Sequence, residues 1–333
     1  MAKFLIVRFS SIGDIVLTTP VIRCLKQQLP DAEIHFLTRK GYSEVLRHHP
    51  LIGKLWTTDG SLEDVADALQ AENFDYIIDL HHNLRSLRLR RRLGVRAFAF
   101  PKLNIEKWLL VNLRINRLPD VHIVDRYLST LSTFGVKNDG AGLDYYTGTD
   151  AEAVMDRLPA THREGYLAVA IGAQHSTKMM PSEKIARVLK KLALPTVLLG
   201  GKEDRTRAMQ IMMAAGDGVW SACGETSIHE SAVLLRQARA VLSHDTGLMH
   251  IASAFRKPLV SVWGNTIPAF GMYPYMPGSN SFSRMLQVEG LRCRPCSKIG
   301  YDKCPKGHFQ CMRALDDDII TEALRAAWTF QGS

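Results

Sequence analysis

A loop that could carry a general base follows the first apolar run of the sequence. Residues 4–8 are predicted to form a strand, and the segment FSSIGD at 9–14 separates them from an amphipathic helix predicted at 15–29. Its Asp14 carboxylate could accept a proton at a strand end, or it could cap the helix that follows. The loop has one glycine where a dinucleotide fingerprint needs three, which argues against a nicotinamide-dependent oxidoreductase.

A second loop has the features of an anion-binding site. An apolar run at 240–243 is followed by Asp245, Thr246 and Gly247 at the start of an amphipathic segment. Free backbone N–H groups at such a helix start bind phosphate or diphosphate, and His250, about one turn in, could add a donor. The alternative is an ordinary capped helix with a core histidine.

Two further charged residues follow predicted strands. Lys178 comes after the strand predicted at 166–171, and Glu203 comes after the strand predicted at 196–199. Lys178 could stabilise an anion, although a lone lysine is more often a solvated surface charge. Glu203 could accept hydrogen bonds from the hydroxyls of a ribose.

The net charge of +9 comes from one segment of the chain. Residues 85–117 contain ten basic residues and one acid, Glu106, so the remaining residues sum to zero. A local patch of this kind predicts an anionic partner: substrate phosphates, lipid headgroups or RNA. No RNA-binding module is visible, so we expect no nucleic-acid partner. A solvated helix face is the plainer alternative.

Four of the six cysteines, Cys293, Cys296, Cys304 and Cys311, lie close together in the sequence. The first pair has the spacing of metal ligands, but the second pair is too widely spaced for a standard zinc ribbon. His308 is an alternative ligand. A structural zinc or iron–sulfur site is one interpretation, and free thiols packed in a loop are the other.

The elements that must position these residues alternate between short apolar runs and amphipathic segments. This alternation predicts an α/β fold; it weakens between residues 136 and 163 and then restarts. We therefore expect two doubly wound domains that face one another, with ligands at the carboxyl ends of their strands. The predicted domains are 1–155 and 163–315. A C-terminal helix at 316–333 follows them, and it could pack back on the first domain.

Length and composition fit this organisation. The chain has 333 residues, of which 46% are hydrophobic and 23% charged, as in soluble globular proteins of two domains. No stretch reaches the roughly 18 apolar residues that a membrane-spanning helix needs. The N-terminal apolar run is too short for a signal peptide, so we predict a cytoplasmic protein.

Five motifs in order resemble those of one enzyme family. They are FSSIGD at 9–14, TTPV at 18–21, DLHHNLRS at 79–86, HIVDRY at 122–127 and DTGLMHIASA at 245–254. These segments are similar to those of glycosyltransferase family 9, the lipopolysaccharide heptosyltransferases. The resemblance covers nearly the whole chain, and the order of the five motifs makes it specific.

The resemblance implies a GT-B fold, with two Rossmann-like domains facing across a cleft, and an inverting, metal-independent transfer of a sugar such as heptose from ADP-heptose. It implies that Asp14 deprotonates the acceptor hydroxyl and that Lys178 stabilises the leaving diphosphate. The donor-binding residues that it implies are Glu203, Asp245, Thr246, Gly247 and His250. The acceptor-binding residues that it implies are Ser11, Gly13, His81, Asn83, Arg85, His122 and Arg126.

The family also implies the acceptor, a lipopolysaccharide inner core or a related anionic glycolipid. We therefore expect the basic segment to contact the acceptor, and its neighbour Trp108-Leu109-Leu110-Val111 to lie on the inner face of the inner membrane. No cofactor beyond the ADP-sugar substrate is expected to be required, and a monomer is expected.

Two departures from the family pattern leave the donor sugar open. Members commonly have Lys-x-Trp-Pro where this chain has KMMP at 178–181, and Gly-Pro-Thr where it has GNT at 264–266. The alternatives are the same fold with another nucleotide sugar, or a non-catalytic protein that binds nucleotide sugars or anionic lipids.

Overall fold

The computed structural model describes residues 2–278 and 280–331 and divides into two compact units. The first unit is Met1–Lys102 with Val121–Tyr146, and the second is Leu103–Asp120 with Thr147–Ser333. This division differs from the predicted domains because the segment at 103–120 packs with the second unit. There Arg114 Nη1 donates to the carbonyl oxygen of Pro295 at 2.5 Å.

Each unit contains one parallel β-sheet. The described residues form the strands β1 Lys3–Val7, β2 Glu33–Arg39, β3 Lys54–Thr58, β4 Tyr76–Asp79, β5 Arg96–Ala99, β6 Leu167–Ala170, β7 Thr196–Leu199, β8 Val219–Ser221, β9 Ala240–His244, β10 Leu259–Trp263 and β11 Ser283–Gln287. The strand order is β3-β2-β1-β4-β5 in the first unit and β11-β10-β9-β6-β7-β8 in the second. Both orders reverse beside the first strand of the unit, as in doubly wound Rossmann sheets, so the predicted fold class is confirmed.

Helices connect these strands. The described residues form α1 Ile12–Val16, α2 Thr19–Gln28, α3 Glu63–Ala71, α4 Leu84–Leu93, α5 Asn104–Trp108, α6 Ile123–Leu128, α7 Ser182–Leu192, α8 Arg205–Ala215, α9 Ile228–Gln237, α10 Gly247–Ala254, α11 Gln310–Arg313 and α12 Asp317–Thr329. A π-helical turn, Leu109–Leu113, extends α5, and several short 3₁₀ helices lie in the loops. No described helix is both long and apolar enough to span a membrane.

The helix predicted at 15–29 is interrupted in the structure. Helix α1 ends at Val16, and α2 begins at Thr19 with Pro20 in its first turn. Proline has a fixed φ and no N–H to donate, which suits a helix start and not a helix interior. The break leaves α1 as a short helix directly after β1, and this helix carries Asp14.

The C-terminal helix α12 belongs to the second unit. It packs on α7, β9, β10 and β11, and its Ile320, Leu324 and Ala327 are buried in the hydrophobic core of that unit. Asp316 caps the helix, since its Oδ1 accepts the backbone N–H of Asp318 at 2.7 Å. The structure therefore makes α12 part of the second unit, in place of the separate C-terminal element that the sequence predicted.

Candidate functional site

In both units the candidate residues lie where the strand order reverses. In the first unit Asp14 lies on α1, which follows β1, and His81 lies in the loop after β4. Strands β1 and β4 are neighbours. In the second unit the loops after β6 and β9 carry Lys178 and Asp245, and these strands are also neighbours. The carboxyl ends of strands at such a reversal are the usual place for ligands in open α/β sheets.

The Asp14 carboxylate is held by a buried arginine. Its Oδ1 lies 2.6 Å from Nη2 of Arg8, the residue that follows β1. Its Oδ2 accepts the Ser11 hydroxyl at 2.8 Å and the Ser11 backbone N–H at 3.2 Å. The Asp14 side chain keeps 19% of its surface exposed. These contacts thus fix the orientation of a carboxylate that solvent or a ligand can still reach.

Arg8 is fixed in turn by the elements around it. Its Nη1 donates to the carbonyl oxygen of Leu80 at 2.6 Å and to the Tyr127 hydroxyl at 2.9 Å, and its Nε donates to the carbonyl oxygen of Ser10 at 2.7 Å. Burial lowers the pKa of Arg8, but the neighbouring Asp14 and Tyr127 outweigh this and raise it above its usual value. The guanidinium therefore stays charged, and it links β1, the end of β4 and α6.

His81 is neutral beside this ion pair. Burial, together with the positive charges of Arg8 and Lys102, lowers the pKa of His81 to about 3. Its ring packs edge-to-face on Phe9, with centroids 5.0 Å apart. The buried Asp79 accepts the backbone N–H groups of His81 and His82 at 3.1 and 2.7 Å, which shapes the loop. His81 can therefore offer an uncharged ring nitrogen at this site.

The other residues implied for acceptor binding have structural contacts. Asn83 caps α4 by accepting the Ser86 N–H at 2.9 Å, and His122 caps α6 by accepting the Val124 N–H at 3.2 Å. The Arg85 guanidinium lies 5.6 Å from the centre of the Phe9 ring.

Arg126 and Gly13 are both buried in the first unit. Arg126 donates to the carbonyl oxygen of Pro101 at 3.3 Å, and burial lowers its pKa. Gly13 is a buried residue of α1, one position before Asp14. Of these residues, Ser11 hydrogen-bonds to Asp14, and His81 and Arg85 both pack on Phe9. Helix capping accounts for Asn83 and His122.

Lys178 and Asp245 form an ion pair in the second unit. Lys178 ends the 3₁₀ helix Ser176–Lys178, and its Nζ lies 2.6 Å from Asp245 Oδ2. The same carboxylate oxygen accepts the Thr266 hydroxyl at 2.9 Å. Both charged side chains are largely buried, at 17% and 13% exposure. An anionic ligand would therefore meet a lysine whose position is already set by its partner.

The start of α10 adds backbone donors beside this pair. Thr246 is the N-cap residue of α10, and no side chain among the described residues caps the helix. The first-turn N–H groups, beginning at Gly247, therefore lack intrahelical partners and can bind an anion. His250 lies one turn further and is buried. The structure thus brings Lys178, Asp245, Thr246 and Gly247 together at the start of α10.

Asp204, which the sequence analysis did not single out, shapes the loop that carries Glu203. The Asp204 carboxylate accepts the Gly201 N–H at 2.9 Å, and a Cβ at Gly172 or Gly200 would collide with it. Burial raises the pKa of Asp204. Glu203 itself is exposed after β7. Gly172 and Gly200 each follow an apolar run directly, and this position could have indicated that another side chain packs closely against the backbone there.

The cysteines are free thiols in the structure. Cys293, Cys296 and Cys304 are half-buried and Cys311 is buried. Burial raises the pKa of Cys311 to about 11, and it raises the pKa of Cys296 as well. Within 2–278 and 280–331, no group of three or more His, Cys, Asp or Glu side chains is arranged to hold a metal ion. The structure therefore gives no support to the predicted zinc site.

Two Rossmann-like α/β units in one chain are the architecture of the GT-B class of glycosyltransferase. Residues 63–299 match the family described as glycosyltransferase family 9 (heptosyltransferase). This chain belongs to that family, and it is a glycosyltransferase. The family assignment removes the non-catalytic alternative.

Curated relatives and solved structures agree with this assignment. Lipooligosaccharide heptosyltransferase 2 of Haemophilus ducreyi is 26% identical, with 97% of this chain and 98% of that protein covered. A family 9 glycosyl transferase from Veillonella parvula superposes with a TM-score of 0.80 at 19% identity, covering 98% and 97% of the two chains. The E. coli heptosyltransferase WaaC with ADP superposes with a TM-score of 0.70 at 20% identity, covering 98% and 99%. These superpositions establish the fold.

Proposed function

We propose that this glycosyltransferase transfers heptose from ADP-heptose to a lipopolysaccharide inner core or a related anionic glycolipid, with inversion of the anomeric carbon. The observation that carries the proposal is the Asp14 carboxylate, oriented by Arg8 and Ser11 where the first sheet reverses its strand order. The named relatives are heptosyltransferases, and one solved neighbour is described with ADP.

In the proposed reaction the acceptor hydroxyl attacks the anomeric carbon of the donor sugar while Asp14 takes its proton. The bond between that carbon and the diphosphate oxygen breaks, and ADP leaves with the bonding electron pair. A single displacement of this kind inverts the anomeric configuration. Arg8 holds the carboxylate in place and stabilises its charge before the proton arrives, and neutral His81 lies beside it as a hydrogen-bonding group for the acceptor.

The second unit carries the proposed donor site. The diphosphate gains negative charge as it leaves, and preorganised cationic and N–H donors stabilise that charge. Lys178 and the α10 start at Thr246 and Gly247 are the proposed donors, with His250 behind them. Asp245 positions Lys178, and the exposed Glu203 is the proposed partner of the ribose hydroxyls. In this scheme the charge on the diphosphate is met by protein groups, so no metal ion takes part.

Another nucleotide sugar is the second candidate donor. The observation that favours it is the pair of departures near the proposed donor site, Met179-Met180 and Asn265. Asn265 is buried, and neither side-chain nitrogen nor oxygen has a partner among the described residues. An amide in this state would accept and donate hydrogen bonds to a ligand that reaches it.

A donor panel tests the proposal. The full chain is incubated with ADP-heptose, with ADP-sugars of other stereochemistry and with UDP-sugars, each with a Kdo-bearing lipid A acceptor, and the product is analysed by mass spectrometry and by NMR of its anomeric proton. We expect turnover with ADP-heptose and an anomer opposite to that of the donor. Turnover with a different donor alone would select the second candidate, and retained configuration would contradict the role of Asp14 as base.

A further inference from the structure

An apolar groove opens on the second unit, and none of the residues proposed above for catalysis or donor binding lines it. Its volume is about 770 Å³, and it lies between the helical segment at 104–113 and the loop at 297–301. The apolar lining residues are Ile105, Trp108, Val111, Ile299 and Tyr301, and Lys107 and Lys298 also line it. Neither the proposed chemistry nor the core of the unit accounts for this groove.

The apolar side chains of the groove are exposed to an unusual degree. Ile105 is 73% exposed, Ile299 57%, Trp108 56% and Tyr301 43%. All five tryptophans of the chain lie in the described part, and Trp108 alone among them is an exposed side chain. A contiguous apolar surface of large side chains marks an interaction site, because a soluble surface rarely leaves such a patch uncovered.

The surroundings of the groove are positively charged. Residues 291–306 contain five basic residues and one acid, and residues 103–117 contain three basic residues and one acid. Lys298 is exposed within the loop itself, and Arg292, Lys303 and Lys306 are exposed on either side of it. An apolar surface with a tryptophan and a cationic rim is complementary to the interface of an anionic bilayer, where acyl chains meet phosphate headgroups.

The groove is built on a fixed frame. Arg114 Nη1 donates to the Pro295 carbonyl at 2.5 Å, which joins the end of the helical segment to the loop. The loop is attached in turn to Thr177, which donates its N–H to the Tyr301 carbonyl at 3.1 Å and accepts the Tyr301 N–H on its hydroxyl at 2.8 Å. Thr177 precedes Lys178, so these hydrogen bonds connect a wall of the groove to the turn that carries Lys178, which we propose binds the diphosphate.

We propose that this groove docks the second unit on the interface of an anionic bilayer. Trp108 and Ile299 insert at the level of the upper acyl chains, and Lys107 and Lys298 face the headgroup phosphates. The inference deepens the proposed function and rests on it for one point, that the acceptor is carried by a membrane. It assigns the docking surface to the second unit, whereas the run of arginines on α4 belongs to the first.

Vesicle binding by the full chain tests the docking surface. Vesicles of phosphatidylcholine with phosphatidylglycerol are compared with vesicles of phosphatidylcholine alone, and we expect binding to the anionic vesicles only. The Lys298→Glu variant should bind about fivefold or more weakly, since each near-surface cation contributes about 1 kcal/mol. Lys190→Glu, an equal charge change on an exposed residue of α7, should bind like the unmodified chain.

The apolar contribution has its own matched pair. Combining Trp108→Ala with Ile299→Ala should weaken vesicle binding about tenfold or more, because both side chains lose apolar surface that the bilayer would cover. Met213→Ala, at an 84% exposed position on α8, is the control and should have no effect. Brominated lipids should quench the Trp108 fluorescence of the unmodified chain, and this quenching should disappear in Trp108→Phe.

Two outcomes separate the docking surface from the proposed function. Transfer to a delipidated, water-soluble acceptor should be the same in the unmodified chain and in the groove variants. Vesicle binding that survives all groove substitutions overturns the docking proposal and leaves the proposed function standing. If sugar is transferred neither to the lipid A acceptor nor to the water-soluble acceptor, while vesicle binding still depends on the groove, the proposed function is overturned and docking is supported. Dimers that disappear in the groove variants, without vesicle binding, would overturn docking in favour of self-association.

Discussion

The first five strands of each unit follow the same order, and the second unit adds a sixth strand at one edge. The two units differ in the residues that lie where this order reverses. In the first unit the reversal holds a carboxylate clamped by a buried arginine, Asp14 with Arg8. In the second it holds a lysine paired with an aspartate, Lys178 with Asp245, beside a helix start without a side-chain cap. We propose that the carboxylate of the first unit accepts a proton from the acceptor and that the second arrangement holds the diphosphate.

This difference indicates how the same sheet architecture can support two parts of one reaction. The sheets fix where ligands meet the chain, at the carboxyl ends of neighbouring strands. The chemistry depends on the few residues that follow those strands. Substitutions at the two reversals should therefore have separable effects, on turnover in the first unit and on the nucleotide in the second.

The largest expected effect is on turnover in the first unit. Asp14→Asn keeps the size of the side chain but removes the base, so kcat should fall about 10³-fold. ADP binding, measured by calorimetry, should be unchanged, because the nucleotide is assigned to the second unit. Asp31→Asn, at an exposed position, is the matched control. A variant that loses ADP binding together with turnover would contradict the proposal that the two units carry the base and the nucleotide site separately.

Acid should also destabilise the fold, because the first unit buries His49. Burial and the charge of Arg23 lower the pKa of His49 to about 4. Below about pH 6.5 the unfolded chain binds a proton at His49 that the folded chain does not. The contribution of neutral His49 to the free energy of unfolding is therefore complete above that pH. It falls by about 3 kcal/mol as the pH drops toward 4. Urea denaturation at several pH values should show a smaller acid loss for His49→Gln. If the free energy of unfolding falls equally with pH in both proteins, a neutral buried His49 is contradicted.

A smaller effect is expected from the anion site of the second unit. Lys178→Met removes a cation that the transition state needs, and kcat should fall about 10²-fold. ADP-sugar binding should also weaken, which Asp14→Asn should not cause. Lys190→Met on the exposed face of α7 serves as the control. A Lys178 variant with normal donor binding and normal turnover would mean that the pair with Asp245 is only structural.

The smallest effect concerns the loop frame of the second unit. A methyl group at Gly200 would collide with the Asp204 carboxylate, so Gly200→Ala should destabilise the fold by about 1–3 kcal/mol. Gly41→Ala in the first unit has open space around the new methyl group and should change stability by less than about 0.5 kcal/mol. Thermal unfolding of both variants measures the difference, and equal melting temperatures would contradict the close approach.

The central strands could be predicted from the sequence because they are buried on both faces. Strands β1, β6, β7 and β9 are continuous apolar runs, and the loops that carry Asp14, Lys178 and Asp245 follow directly from their ends. The outer strands β3, β5, β8 and β11 were missed, because they are partly exposed and lack such apolar runs. The segment at 103–120 could not be assigned to its unit, since only tertiary contacts decide that.

Part of the candidate site lay beyond sequence reasoning for a similar reason. Arg8 follows a buried strand directly, and its partner Tyr127 is 119 positions away, so nothing local indicates their contact. Asp204 stands next to the more conspicuous Glu203, and its role depends on glycines from two different loops. The spacing of Cys293 and Cys296 suggested a metal, whereas the fold leaves the cysteines as thiols. Long-range packing decides each of these cases.

The measurement that tests the central claim most directly is the release of ADP from ADP-heptose by the unmodified chain, with and without a Kdo-bearing lipid A acceptor, beside the melting-temperature shift caused by ADP alone. We predict that ADP raises the melting temperature and that its release depends on the acceptor. Binding without release would contradict the assignment of donor sugar or acceptor. No effect of ADP on the melting temperature, together with no release, would contradict the donor site around Lys178 and Gly247.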